Sequence, residues 1–439
     1  MTPDLSEARH IHLVGAGGAG MGAIADVLYR MGHTVTGSDL KDGPVVERLR
    51  VAGMEIHVGH DAANVGAADL VAISTAIPEH NPEVRAANER QIPLLRRSDI
   101  LPAISAERRS IVVAGTHGKT TTSSMLAMAM VEADLDPSFI IEGDESDRTF
   151  LSLGAEIAIV TNVEPDHLET YDNDPEQLLA AFVQFADAAT TPIYCADDAG
   201  AMQVASAVPG ITYGTAEHAD YRMVDIATGR ASVAFTIRHD GAEVARVELP
   251  TPGMHNARNA AAAFVATIAA GGSAAAAAAA LARFGGVARR FEFRGEIDGV
   301  TFVDDYAHLP TEVEAALAAA ADGGWERIVC VFQPHRYSRT AALWQDFADG
   351  FVGADVLVVT DIYASGETPR PGITGKLIVD AVLDAHPWST VAWMPRLDDA
   401  AGWLAHRLRP GDLCLTLGAG DLTGLPDQVI GRLGHRGAA

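Results

Sequence analysis

Cysteine is nearly absent from this chain of 439 residues: only Cys195, Cys330 and Cys414 occur, an odd number without CxxC spacing. A disulfide framework and a cysteine-based zinc site are therefore excluded, and small buried thiols in a reducing compartment are expected. Aromatics are scarce at 6%, and 32 Lys and Arg face 58 Asp and Glu, for a net charge of -26. A duplex binder needs a basic face to neutralise phosphates, so no nucleic-acid partner is expected. Screening at physiological salt acts over about 8 Å, so a local Lys/Arg cluster can still hold an anionic substrate. No stretch approaches the roughly 20 apolar residues that span a bilayer, and no membrane partner is expected. The polar start, Met1 to Arg9, lacks the basic-then-apolar layout of a signal peptide, which points to a cytoplasmic address.

Hydrophobic residues make up 48% of the chain. At this length that suffices for several cores, and the usual domain size gives about three. The first segment alternates apolar strands (Ile11 to Val14, Thr34 to Thr36, Leu70 to Ile73) with a helix from about Met21 to Met31. This βαβ arrangement implies parallel strands with ligand chemistry at their C-terminal ends. A fresh strand starts at Ser110, after the charged Glu107-Arg108-Arg109. The middle segment continues with Ile157 to Val163, a helix from Pro175 capped by Asp174, and a strand at Pro192 to Cys195. Ala231 to Arg238 and Ala242 to Leu249 flank Asp240-Gly241, a hairpin signal. A buried alanine-rich helix is expected from Asn256 to Ala270, and a second, capped by Ser273, over the Ala274 to Ala280 run. Beyond Arg289, strands at Thr301 to Val303, Ile328 to Phe332, Val356 to Thr360 and Leu413 to Leu417 complete three unlike α/β units in series.

Chemistry first shows at Gly115-Thr116-His117-Gly118-Lys119-Thr120-Thr121, between a β-branched strand and a helical pattern carrying Met125, Met128 and Val131. Loop N–H groups, a lysine and a helix N-terminus together seat nucleotide phosphates. The full P-loop pattern would have glycine where Val113 stands, so this is a shortened GxxGKT variant. Upstream, Gly15-Ala16-Gly17-Gly18-Ala19-Gly20 satisfies GxGxxG between a strand and a helix, with Asp39 ending the next strand. The ligand read there is a diphosphate, either a dinucleotide or a nucleoside diphosphate joined to another group. Two acidic runs, Glu142 to Asp147 and Asn162 to His167, offer oxygen ligands for Mg²⁺ beside the hydroxyl of Thr120. In the last segment Arg289-Arg290, Asp304 to His308 and Gln333 to Arg339 sit next to strand ends. Arginine forks suit carboxylate and phosphate, and a histidine such as His308 can take a proton near neutral pH.

GAGGAGMG, GTHGKTTT, DESD, NVEPDH, GMHNARNAAAA, RRFEF, DDYAHLPTE and QPHRYSRT follow one another as in the Mur ligases, and the chain resembles that family over nearly its whole length. The resemblance implies an α/β protein of three domains. A Rossmann-like UDP-sugar domain would span residues 1–107 and a P-loop ATPase-like domain 108–287. A Rossmann-like domain at 288–439 would close on ATP and the amino acid. It implies an ATP- and Mg²⁺-dependent ligase, monomer or homodimer, that joins L-alanine to UDP-N-acetylmuramate in cytoplasmic peptidoglycan precursor synthesis. By motif, ATP would meet Gly115, Thr116, His117, Gly118, Lys119, Thr120, Thr121, Asn256, Asn259, Arg290 and Asp305. The metal would take Thr120, Glu142 and His167. The UDP-sugar set would be Gly17, Gly18, Ala19, Gly20, Ser38, Asp39, Ser74, Thr75, His80 and Asn81. Tyr306 and His308 would face the amino acid, and Lys119, His308, Arg336 and Arg339 would be catalytic.

Two departures stand against the family pattern. Roughly twenty residues, including a Gly-rich loop and a strand, are missing between Ile141 and Glu142, and loops this near a site are usually functional. Either Ser138 to Ile141 forms the replacement strand, or Glu142 is displaced and the metal site damaged. Leu309 stands where the family has a second histidine. Other readings are an NAD-dependent oxidoreductase resting on the first glycine loop alone, a non-catalytic or altered-specificity relative, and a murein-peptide-recycling ligase.

Overall fold

Short apolar runs bounded by glycine turns become parallel strands. The structure, a computed structural model, describes residues 3–74, 76–135 and 140–436. The first sheet contains β1 (His10–Val14), β2 (Thr34–Asp39), β3 (Glu55–Val58), β4 (Leu70–Ile73) and β5 (Leu94–Arg96). They run parallel in the order β3-β2-β1-β4-β5. Helices α1 (Ala19–Arg30), α2 (Pro44–Val51), α3 (Pro82–Glu89) and α4 (Arg97–Ala106) connect or follow them. The order reverses between β1 and β4, the place where open α/β sheets bind ligands.

The second sheet has eight strands: β6 (Ile111–Ala114), β7 (Ile140–Gly143), β8 (Ile157–Val160), β9 (Thr191–Cys195), β10 (Ile211–Gly214), β11 (Tyr221–Thr228), β12 (Val233–His239) and β13 (Ala242–Leu249). Their order is β13-β12-β11-β10-β9-β8-β6-β7. Its helices are α5 (Lys119–Glu132), α6 (Pro175–Asp187), α7 (Ala199–Ala207), α8 (Met254–Ala269) and α9 (Ala274–Leu281). The caps behave as expected: Asp174 accepts from the Glu176 amide and Ser273 from that of Ala276. Asp240 and Gly241 both take positive φ, 50° and 76°, the type I′ turn whose twist matches paired strands. β8 stops three residues short of the expected Val163, because residues 161–163 turn to hold the phosphate loop. In α5, Met125 is buried and Val131 exposed; the inner face carries Leu126, Ala129 and Met130 instead.

The third sheet contains β14 (Glu292–Ile297), β15 (Val300–Asp305), β16 (Arg327–Phe332), β17 (Val356–Val359), β18 (Val391–Trp393) and β19 (Asp412–Leu417). Their order is β14-β15-β19-β16-β17-β18, with β14 antiparallel at the edge. Helices α10 (Pro310–Ala321), α11 (Tyr337–Leu343), α12 (Lys376–Ala385), α13 (Leu397–Arg407) and α14 (Leu425–Arg436) accompany it. Cys195, Cys330 and Cys414 are free and buried, as the composition implies. No helix among the described residues is long and apolar enough to cross a membrane.

The chain divides into two units, one of Met1–Ala114, Ser138–Ala158 and Pro165–Pro192, the other of Gly115–Pro137, Ile159–Glu164 and Ile193–Ala439. In the first, Phe150 packs on Phe182 and Phe185 with ring centroids 5.1 and 5.2 Å apart. In the second, Phe332 meets Phe347 and Phe351, each at 5.1 Å. The first unit also buries a charge. Burial alone would raise the Glu83 carboxyl, but the His12 imidazole 3.8 Å away and hydrogen bonds from Ser38 and Asn64 outweigh it and hold Glu83 at about 2 against an ordinary 4.5. The folded form therefore binds this proton less readily than the unfolded chain. Its contribution, about 3 kcal/mol, is present above pH 4.5 and is lost as pH falls toward 2. The thermal midpoint of Glu83→Gln is expected to lie well below wild type at pH 6, with the gap narrowing below about pH 4.5. A gap independent of pH would refute the charged assignment.

Candidate active site

The loop between β6 and α5 is shaped by two glycines with positive φ, Gly115 at 141° and Gly118 at 81°. A Cβ on Gly115 would overlap Thr161 Oγ1, and one on Gly118 would sit 2.5 Å from Asn259 Oδ1. The loop is thus moulded on the end of β8 and on α8. Thr116 N donates to Asn162 O at 3.3 Å, and His117 N to Asn162 Oδ1 at 2.8 Å. Thr161 Oγ1 donates back to His117 O at 2.6 Å. Lys119 and Thr120 open α5, so their side chains stand where the helix N-terminus is most positive. Lys119 Nζ donates to Gly115 O at 2.6 Å and Thr116 O at 3.3 Å, which fixes the ammonium above the loop. Thr121, in the same first turn, is buried.

Beside this loop lies a cavity of about 230 Å³. Its wall includes His117, Gly118, Thr121, Asn256, Asn259, Arg290 and Asp305, so seven of the eleven expected ATP residues converge there. Asn256 is pinned by a 2.7 Å bond from its Nδ2 to Pro252 O. Asp305 spends its oxygens on the amides of Phe291 and Ala307, each at 2.7 Å, and burial pushes its carboxyl up to about 6. Sequence reading passed over His255, Arg258 and Asp197 in the same wall. Arg258 Nε bonds Asp197 Oδ2 at 2.8 Å. Burial, with Arg290 and Arg258 nearby, lowers His255 to about 4, so this imidazole is neutral.

The loops after β15 and β16 bring a second group together. Tyr306 stands edge-on to His308 at 5.4 Å, and His308 lies 5.6 Å from His335. Leu309, buried at the start of α10, offers no imidazole, but His335 provides a second one from a different strand. His335 stacks on Tyr363 at 5.7 Å; burial, with His308, Arg339 and Arg336 nearby, lowers it to about 4. Arg339 Nη1 lies 3.4 Å from His335 Nδ1. Arg336 takes φ 67°, a strained conformation for a residue with a side chain, and its amide is tied to Tyr363 O at 2.9 Å. Arg290 reaches over the Tyr306 ring at 5.1 Å. His335 and Tyr363 were missed as site residues: the first sits in a quoted motif without a role, and the second has no local signal.

The first unit carries the glycine fingerprint. Gly17 N donates to Asp39 Oδ2 at 2.8 Å, so the acid expected at a ribose also holds the loop. Gly18 caps α1, and Ala19 and Gly20 form its first turn. Ser38 is buried and donates to Glu83 Oε2 at 2.6 Å. Asn81 caps α3 by accepting from the Glu83 amide at 2.8 Å, and His80 before it is exposed. Ser74 lines a cavity of about 440 Å³ with Ile73, Ile77, Glu79 and Arg96. Thr75 lies outside the described residues.

Of the expected metal ligands, Thr120 belongs to the second unit and Glu142 and His167 to the first. A strand at Ile140–Gly143 does form, paired with β6 so that Glu142 is in register with Val113. The short segment therefore still delivers Glu142 on a strand, at an exposed position; Ser138 and Phe139 lie outside the described residues. His167 adopts φ 51° and lies 3.3 Å from Asp166. Among the described residues no three His, Cys, Asp or Glu cluster as a metal site. Hydroxyl and carboxylate oxygens, with one imidazole, remain a donor set that suits a hard cation completed by phosphate and water.

Three family models match in order: the Mur ligase family catalytic domain over residues 10–109, the Mur ligase middle domain over 138–267, and the Mur ligase glutamate ligase domain over 289–420. The UDP-N-acetylmuramate--L-alanine ligase of Halorhodospira halophila is 43% identical over 98% of this chain and 95% of its own. That of Kineococcus radiotolerans is 43% identical over 97% and 96%. Among solved structures, the UDP-N-acetylmuramate-alanine ligase of Thermotoga maritima superposes with a TM-score of 0.79 at 27% identity, covering 98% of this chain and all of that one. A murein peptide ligase from Psychrobacter arcticus shares the fold, with a TM-score of 0.63 at 23% identity, over 97% of this chain and 99% of its own.

Proposed function

Because this chain belongs to the Mur ligase family, we propose that it is the ATP-dependent ligase that joins L-alanine to the carboxylate of UDP-N-acetylmuramate. One observation carries the reading: 43% identity to a UDP-N-acetylmuramate--L-alanine ligase over 98% of the chain. The geometry supports it. An oxidoreductase has no use for the Lys119 loop or for the histidine and arginine group beyond it, and the murein peptide ligase shares only the fold. The reaction belongs to cytoplasmic peptidoglycan precursor synthesis, carried out by domains at residues 1–107, 108–287 and 288–439.

ATP lies with its phosphates on residues 115–121 and its nucleoside toward Asn256, Asn259 and Asp305. Arg290 faces the phosphates. The glycine loop after β1, with Ser38, Asp39, Ser74, Thr75, His80 and Asn81, takes the UDP-sugar. Thr120, Glu142 and His167 would hold Mg²⁺, which supplies charge neutralisation on the phosphates. The sugar's carboxylate oxygen attacks the γ-phosphorus, the bond to the β-phosphate oxygen breaks, and ADP leaves. The alanine nitrogen then adds to the acyl carbon, the C–O bond breaks, and phosphate departs. Lys119, Arg336 and Arg339 stabilise the charge that develops in these steps. Aligning the reactants is worth roughly 7 kcal/mol or more, against about 3 to 5 kcal/mol for a general base, so positioning dominates.

The amine must lose a proton, and His308 is placed to receive it. Its Nδ1 lies 3.0 Å from Tyr306 O, an acceptor only, so Nδ1 carries the hydrogen and Nε2 is the basic nitrogen. The deciding experiment is release of phosphate from ATP with UDP-N-acetylmuramate present, with and without L-alanine. Release that depends on L-alanine is expected; its absence would sink the reading. His308→Gln should slow the reaction about 10²-fold and remove the acidic limb of the pH profile. An active variant with an unchanged profile would reject His308 as the base.

A further inference from the structure

His117, Glu164, Thr311 and Glu312 form a polar knot, and the chemistry above uses none of its side-chain contacts. The His117 ring lies between two carboxylates, with Nδ1 3.1 Å from Glu312 Oε1 and Nε2 3.3 Å from Glu164 Oε2. Thr311 Oγ1 donates to the same Glu164 oxygen at 3.0 Å. Neither carboxylate has a proton to give, so both ring nitrogens donate and the imidazole is a cation. Burial works against that charge, but Glu164 and Glu312 outweigh it and raise His117 to about 9. The second oxygen of Glu312 accepts from the amides of His308 at 2.8 Å and Leu309 at 3.1 Å. It also lies 3.3 Å from His308 Nδ1. One carboxylate thus grips the phosphate loop with one oxygen and the His308 segment with the other, across 195 residues of sequence.

We propose that Glu312 is a positioning residue that, through His117, sets His308 and its loop at a fixed distance from the Lys119 loop. The inference rests on the ligase reading. Phosphoryl transfer and amine attack need groups from both loops at once, and a small displacement between them is costly. A glutamate at the third position of a helix ordinarily satisfies the capping amide. Glu312 does so with Oε2, while Oε1 is turned outward to His117 rather than left to solvent.

The test compares Glu312→Gln, Glu312→Asp, His117→Asn and the double variant Glu312→Gln/His117→Asn in the complete reaction. Calorimetry with UDP-N-acetylmuramate and thermal midpoints check the fold. Each single variant is expected to lower kcat about 10²-fold with affinity for the UDP-sugar unchanged. The double variant should be no worse than the poorer single, because both cut one tie. Glu312→Asp keeps the charge but shortens the reach, so it shows the same loss even if Glu312→Gln does not fold. Losses that multiply in the double variant, or a Glu312→Asp enzyme with wild-type kcat, would overturn the inference. Inactive wild-type protein would instead overturn the proposed function.

Discussion

Lys119→Ala is expected to lower L-alanine-dependent phosphate release about 10³-fold, because it removes the ammonium that the phosphate loop carries at its helix end. The ammonium stands over Gly115 O and Thr116 O at 2.6 and 3.3 Å, at the first turn of α5. On the proposed reading loop amides and the helix end would hold phosphates already in the ground state, so affinity for ATP should weaken much less than kcat. Charge on the transferring phosphoryl grows only as the transfer proceeds, and that is where a fixed cation counts most. Lys119→Arg should not restore the rate: a planar fork cannot occupy the place of a compact ammonium between two carbonyls. The fold should be intact, since the bonds to Gly115 O and Thr116 O lie within one loop. Steady-state kinetics with a thermal midpoint decide the matter. A Lys119→Ala enzyme within tenfold of wild type would remove phosphoryl transfer from this loop.

Gly115→Ala should fail for a different reason. At φ 141° the backbone favours glycine, and the added Cβ would overlap Thr161 Oγ1 and lie 3.0 and 3.1 Å from Asn162 O and N. Those atoms belong to the segment that holds Thr116 and His117 in place. The loop must either part from the end of β8 or abandon its conformation. We expect a loss of about 2 to 3 kcal/mol in stability and at least a tenfold weaker affinity for ATP. Gly32→Ala is the control: φ is 95° there, but nothing lies within 4 Å of the new atom. Only the backbone strain, about 1 kcal/mol, should appear, with ATP binding untouched. Equal stability and equal nucleotide affinity in the two variants would refute the packing account.

Much of the fold and part of the site can be read from residues close together in the chain. The Asp240-Gly241 turn, the Asp174 and Ser273 caps and the glycine-shaped loops at 15–20 and 115–118 each depend on conformations that neighbouring residues impose. Buried parallel strands such as Ile328 to Phe332 announce themselves as apolar runs. Edge strands do not. Three-residue β5 and β18 lack a continuous apolar pattern, and pairing with a neighbour is what makes them strands. Asn256, Asn259, Arg290 and Asp305, named by the family motifs from separate segments, line one cavity beside the Lys119 loop. Glu312 is the last letter of DDYAHLPTE, where a capping role hides a second contact.

The sequence by itself determined the three α/β sheets, the phosphate loop and the membership of the family, because periodicity, caps and glycine dihedrals are set within a few residues. Only the tertiary structure decided that His335 stands beside His308, that Leu309 is core, and that Glu312 reaches His117. Those contacts join residues from different strands and loops, some nearly two hundred positions apart. A carboxylate's partner depends on which strand ends the sheet order brings together, and no local pattern records that order.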